Sequence, residues 1–291
     1  MFRMFVLEKS ANNFRSLSQI FTPSNFNKIV KKKDKEYMRY CVKKHINSSK
    51  PESYNSIIKY LYNELHFEYR SEYFYKNALL NKLLLGKYSL NTTTVLNEFR
   101  IGGSIADFIL LNGEARIFEI KTDLDSLTKL DKQVSDYKEF ANKVYIVSCS
   151  KHANKLLNKY RDTEIGIIEF TKNMSLKTLK EAESNTDNFN HVTIFKTLRK
   201  QEYLNLIKNH FGEIPNVPGT KIFRECLSMA KLININDFQV LAFNQLKDRK
   251  IRCPNLLKSE FTPYELKHIC YSMDYSENEY AELFNFLKEM I

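Results

Sequence analysis

Residues 94–137, TVLNEFRIGGSIADFILLNGEARIFEIKTDLDSLTKLDKQVSDY, hold the reading on which the fold turns. Two apolar runs, SIADFILL and ARIFEIK, flank Asn112-Gly113, a strong short-range signal for a β-hairpin. Side chains alternate faces along a strand, so Glu119 and Lys121 point one way and Phe118 and Ile120 the other. A two-residue loop would set Asp107 against Phe118 and part the two acids. A three-residue loop, Asn112 to Glu114, sets Asp107 opposite Glu119 and Phe108 opposite Phe118, with Gly113 or a neighbour at positive φ. We expect the longer loop. Directly opposed residues have Cβ atoms about 4.5–5.5 Å apart. Carboxylates that close repel unless a cation lies between them, and Mg²⁺ favours such oxygens.

Upstream, Ser49-Lys-Pro-Glu52 reads as a capping box with proline in the first turn, opening a helix through Ile57, Ile58, Leu61 and Leu65. A second amphipathic helix is expected from about 71 to 85, burying Leu79, Leu80, Leu83 and Leu84, with Glu72 in its first turn and Gly86 at its end. A strand at 94–100 follows, and Gly102-Gly103 suits a bulge. Beyond the hairpin, a helix is expected from about 126 to 141, capped by Asp125 or Ser126, with Asp123 and Asp125 favouring its N-terminal dipole. The run 143–148, KVYIVS, is apolar throughout and reads as a buried parallel strand. Residues 151–160 read as a crossover helix and 165–170 as the next strand. The fold class is therefore α/β, in the order α, β, β, β, α, β, then α and β, with a sheet covered on both faces.

From about 186 the strand signals end. Thr262-Pro-Tyr-Glu265 and Ser276-Glu-Asn-Glu279 read as capping boxes, Asn236 with Gln239 as a third helix start, and the stretch from Gly212 to Gly219 as a turn. Three regions follow: a basic, mostly helical 1–66, an α/β core at 67–185 and a helical subdomain at 186–291.

The chain of 291 residues is long enough for one large domain or two smaller ones. A net charge of +11 suits an anionic partner such as nucleic acid. The charge concentrates at 28–44, KIVKKKDKEYMRYCVKK, where Lys31, Lys32 and Lys33 lie beside interleaved tyrosines. That run reads equally as a phosphate-tracking surface or as a solvated helix face. The five scattered cysteines lack any Cys-x-x-Cys pair, which argues against a zinc site and for a reducing compartment. With no apolar run long enough for a secretory signal or membrane helix, a cytoplasmic location without membrane contact is expected. Neither a glycine-rich phosphate loop nor a nucleophile elbow is present, and the six histidines show no metal-ligand spacing.

An acid, about a dozen residues, then Glu-x-Lys after a hairpin resembles the PD-(D/E)XK nuclease superfamily, here Asp107, Glu119 and Lys121. Gln133-x-x-x-Tyr137 resembles the Q-x-x-x-Y signature of its RecB-like branch. Residues Glu119 to Asp125 also resemble a poorly characterised bacterial family with a Glu-Ile-Lys-x-Asp-x-Asp core. The likeness covers about 70–170; in place of the motif's proline stands Ala106. It implies a restriction-endonuclease-like αβββαβ core and Mg²⁺ or Mn²⁺ held by Asp107, Glu119 and the Ile120 carbonyl. An acid from the preceding helix would complete the shell: Glu72, with Glu68 and Glu98 as competitors. It implies that Lys121 orients or deprotonates a metal-bound water, while Gln133 and Tyr137 reach the scissile strand or orient Lys121. Lys129 and Lys132 would meet phosphate, or stay in solvent.

The expected activity is metal-dependent hydrolysis of DNA, by analogy in bacterial defence, conflict or repair. The alternatives are an RNA-cleaving, toxin-type nuclease and a non-catalytic nucleic-acid-binding regulator on the same fold. A homodimer or a protein partner through the C-terminal helices is a further expectation.

Overall fold

The computed structural model describes residues 5–7, 10–48 and 51–291. The chain folds as two compact units, residues 1–87 with 251–291, and residues 88–250. In the first, β1 (Phe5–Leu7) pairs antiparallel with β2 (Ile46–Ser48), and α1 (Ala11–Ser18), α2 (Pro23–Lys32) and α3 (Glu36–His45) lie between them in sequence. Next comes α4 (Tyr54–Glu68), which buries Ile57, Ile58, Leu61 and Leu65 as its periodicity demands. Its cap is Ser53, whose hydroxyl accepts from the Ser56 amide at 3.2 Å. The expected cap, Ser49, lies outside the described residues.

Helix α5 (Glu72–Leu79) carries Glu72 in its first turn and runs on into a π-helical segment, Leu80–Leu85, capped by Gly86. The wider turn rotates the apolar stripe, so Leu84 is buried and Leu83 only half-buried.

The second unit is built on a six-stranded mixed sheet in the order β3 (Thr94–Ile101), β4 (Ser104–Asn112), β5 (Glu114–Lys121), β6 (Lys143–Ser148), β7 (Gly166–Phe170) and β8 (Leu176–Lys180). Strands β3, β4 and β5 pair antiparallel, β5, β6 and β7 parallel, and β8 closes the edge antiparallel. The β4–β5 register pairs Phe108 with Phe118 and Asn112 with Glu114, leaving Gly113 at the tip with φ +68°. That is the longer loop, and its register is the one the acids require. Gly102-Gly103 forms the two-residue turn of the β3–β4 hairpin, Ile101 pairing with Ser104, and not a bulge. Positive φ at Gly102 alone of the pair, +57°, marks a turn that needs glycine first.

Between β5 and β6, α6 (Leu130–Lys138) starts four residues later than the cap reading expected. Asp125 spends its carboxylate locally, accepting from the Thr122 amide and hydroxyl at 2.8 and 2.7 Å, so the loop 122–129 competes with the helix and wins. Helix α7 (Ser150–Lys159) then packs on β6 and β7. Helices α8 (His191–Lys196), α9 (Lys200–Phe211), α10 (Ile222–Ala230) and α11 (Ile235–Lys247) join the sheet's apolar core through Ile194, Phe195, Leu206, Phe238 and Phe243. Asn234, not Asn236, caps α11, and the buried Gln239 amide donates to the Phe140 carbonyl at 3.1 Å and Asn142 Oδ1 at 3.0 Å.

The remaining helices, α12 (Pro254–Lys258), α13 (Lys267–Met273) and α14 (Glu277–Lys288), return to the first unit. Ser276 and Glu279 form the expected capping box of α14. Thr262 and Glu265 do not form theirs: the Thr262 hydroxyl donates to the Leu256 carbonyl at 2.7 Å, and a 3-10 turn, Tyr264–Leu266, precedes α13. No helix among the described residues is long and apolar enough to cross a membrane.

Candidate metal centre

Strands β3, β4 and β5 set three acids abreast. Glu98 lies across from Asp107, between the pairs Asn97–Phe108 and Phe99–Ala106. Asp107 precedes Phe108 and stands in line with Glu119, one step beyond the last β4–β5 pair, Phe108–Phe118. Carboxylate oxygens of Glu98 and Asp107 lie within 4.8 Å of each other. Glu98 has φ +50°, left-handed backbone that a residue with a Cβ adopts only at a cost of about 1–2 kcal/mol. This kink also resolves the strand's parity. Leu96 and Ile101 both enter the core cluster, although five residues apart they would face opposite ways on a regular strand.

Asp107 is tied to β5 by its Oδ2, which accepts from the Ile120 amide at 2.7 Å. Ile120 thus meets the acid through its N–H, whereas the resemblance assigns a role to its carbonyl. Glu119 points with Ile117 toward α6 and is 1% exposed. Its Oε1 accepts from Lys121 Nζ at 2.7 Å and Gln133 Nε2 at 2.6 Å, and its Oε2 from the Tyr137 hydroxyl at 2.7 Å. Lys121 Nζ also donates to Gln133 Oε1 at 3.0 Å, closing a ring of three side chains. The ring fixes the amide: reversed, Gln133 would set its oxygen against a carboxylate and its NH₂ against an ammonium. Tyr137 and Gln133 stand four apart, one helical turn, on the face of α6 that meets β4 and β6. Burial, then the charge of Glu119, pushes the Tyr137 phenol far above its ordinary pKa, so it stays a hydroxyl donor. The four residues Glu119, Lys121, Gln133 and Tyr137 therefore form one cluster.

Glu72 sits at the start of α5 in the first unit, paired with Lys76, and Glu68 ends α4, exposed, in the same unit. Of the basic run, Lys31 and Lys33 pair with Glu279 and Glu282 of α14 at 3.1 and 3.2 Å, while Lys32 is exposed. Lys132 is bound to Asp136 at 2.7 Å, and Asp136 also takes the Ser104 hydroxyl at 2.5 Å, pinning the β3–β4 turn to α6. Lys129 is exposed at the N-cap of α6, where the helix dipole disfavours a cation. Sequence reading overlooked the Thr122–Asp125 clamp just after Lys121. Its signal was Thr-x-x-Asp, a pattern that serves a local turn as well as a helix cap.

Fold and site together define a mixed-sheet α/β protein with a buried acid–lysine–glutamine–tyrosine cluster beside two facing carboxylates. The chain belongs to the family of bacteriophage P4 protein cII, whose model matches residues 65–269. It is similar to protein cII of Enterobacteria phage P4, at 28% identity over 174 residues, 57% of this chain and 63% of the relative. The chain thus spans somewhat under two thirds of that relative's length. No solved structure matches it.

Proposed function

We propose that residues 88–250 carry a restriction-endonuclease-like core that hydrolyses DNA phosphodiester bonds with Mg²⁺ or Mn²⁺. The observation that carries this reading is the placement of Glu98, Asp107 and Glu119 on three neighbouring strands, with Lys121 on the same face as Glu119. The strand and helix order β3–β4–β5–α6–β6–α7–β7 supports it as well.

The residues fit a hard cation. Glu98 and Asp107 offer carboxylate oxygens close to each other. Glu119 has about four acceptor sites, and Lys121, Gln133 and Tyr137 take three, which leaves one on Oε2. Glu98, Asp107 and Glu119 would hold the ion, with Glu72 the further ligand that the resemblance implies. A divalent ion bound there supplies a water of lowered pKa and neutralises charge on the phosphate. Lys121 has three donors, of which Glu119 and Gln133 engage two; the third is available to a phosphate oxygen or the attacking water. Gln133 holds that ammonium in place. Tyr137 keeps Glu119 oriented, and Asp107 draws the Ile120 amide, locking β5 beside the site.

The test is incubation of the pure protein with labelled linear, circular and single-stranded DNA and with RNA, in Mg²⁺, Mn²⁺ or EDTA. Metal-dependent DNA cleavage abolished by Lys121→Ala supports the proposal. Cleavage that survives this substitution removes the assigned role. Cutting of RNA alone would reassign the substrate, and binding without cleavage in every metal would leave the non-catalytic reading standing.

A further inference from the structure

The helical unit carries a pocket of about 350 Å³ that the nuclease reading does not use. Its walls are α4, the segment at 260–263 and α14, so it lies wholly within residues 1–87 and 251–291. Three of its features point to one kind of ligand. Phe261 is 65% exposed, and its ring meets Phe284 at 6.1 Å, so an aromatic face is offered to solvent at the mouth. Asn55 Oδ1 is buried, and among the described residues it has no hydrogen-bond donor. Lys59 and Lys288 both line the pocket, and Glu260 offsets one of those charges.

A buried acceptor without a donor costs about 1–3 kcal/mol, which a ligand N–H recovers once the Asn55 amide turns its oxygen into the pocket. An exposed phenylalanine gains by stacking on a flat ring, and paired lysines gain by meeting an anion. The volume falls in the small-ligand range of roughly 300–1,000 Å³. A flat ring with an amine donor and an anionic group is the chemistry of a nucleotide. We infer that this pocket binds a nucleotide, with the base against Phe261, a base amine on Asn55 Oδ1 and the phosphate between Lys59 and Lys288. The nucleotide is either free or an unpaired unit of a single strand.

The chain contains no tryptophan, so Phe261→Trp adds a single tryptophan at the mouth, excited apart from the tyrosines, without disturbing a buried position. Adenosine monophosphate titrated into this full-length variant should quench the emission saturably. Adenosine should bind more weakly, and inorganic phosphate should not quench. Lys59→Gln with Lys288→Gln should erase the difference between the nucleotide and the nucleoside. By calorimetry, Phe261→Ala should weaken binding about tenfold, the loss of one base–aromatic stack. Competition by single-stranded oligo(dA) would identify the bases of a strand as the source, and its failure would identify the free nucleotide. Absence of saturable quenching overturns the inference. So does nucleotide binding that is unchanged in a folded Phe261→Ala protein, or an amphipathic peptide that fills the pocket where the nucleotide does not.

Discussion

The two units each bury a titratable side chain, and they do so in opposite ways. In the sheet unit Glu119, 1% exposed, is met by an ammonium, an amide and a phenol. In the helical unit His268, 4% exposed, is driven neutral: burial, with the charge of Lys76 adding to it, lowers its pKa to about 3. Neutralising a buried group is the cheaper course, and holding an ion pair indoors rarely adds stability over an apolar replacement. A cluster of four residues from two elements that keeps a carboxylate surrounded by donors is therefore the stronger sign of function. His268 is adequately explained by packing.

Breaking the charged arrangement should cost most. Lys121→Ala strands a buried carboxylate and should lower the unfolding free energy in urea by about 3–5 kcal/mol. Adding Glu119→Gln should restore much of that loss, and a single-substitution cost below about 1 kcal/mol would break the comparison.

The histidine should show its opposite character in pH. The unfolded imidazole titrates near 6.5 and the folded one near 3, so between them the unfolded state binds more protons. The contribution is whole above pH 6.5 and is lost as pH falls toward 3. His268→Leu should flatten the fall in melting temperature across that window.

Smaller effects sharpen the account further. Tyr137→Phe removes a donor to a charged acceptor and should cost about 1.5–3 kcal/mol by chemical denaturation. Glu98→Gly should act in the other direction, raising stability by about 1 kcal/mol, because glycine accepts the left-handed backbone without strain. A destabilised glycine variant would show that the Glu98 side chain contributes more than its backbone costs.

What the sequence displayed, and what it hid, follows from the range of the interactions. The hairpin register was legible because side-chain alternation and one glycine leave few solutions, and Phe108 opposite Phe118 is the one adopted. The place of Glu98 was not, since a left-handed residue inside a strand breaks the alternation from which parity is read. The late start of α6 was hidden because Asp125 serves a loop turn or a helix cap equally well until tertiary packing decides. Strand β8, LKTLK, was invisible for a different reason: an edge strand with two lysines and a threonine among five residues carries no apolar run. The run at 31–33 reads equally as a phosphate-tracking surface or a solvated helix face because the partners of Lys31 and Lys33, Glu279 and Glu282, lie some 250 residues downstream in the sequence.

The most direct test of the central claim, that facing acids on this sheet hold a divalent ion for phosphodiester cleavage, is a paired measurement on Asp107→Asn. The asparagine keeps an acceptor for the Ile120 amide but removes the charge facing Glu98. Without metal its melting temperature should equal or exceed that of the parent protein. With Mg²⁺ the parent should gain stability and cut DNA, and the variant should do neither. A parent protein that neither responds to Mg²⁺ or Mn²⁺ nor cleaves, or a variant that cuts as well as its parent, would contradict the account.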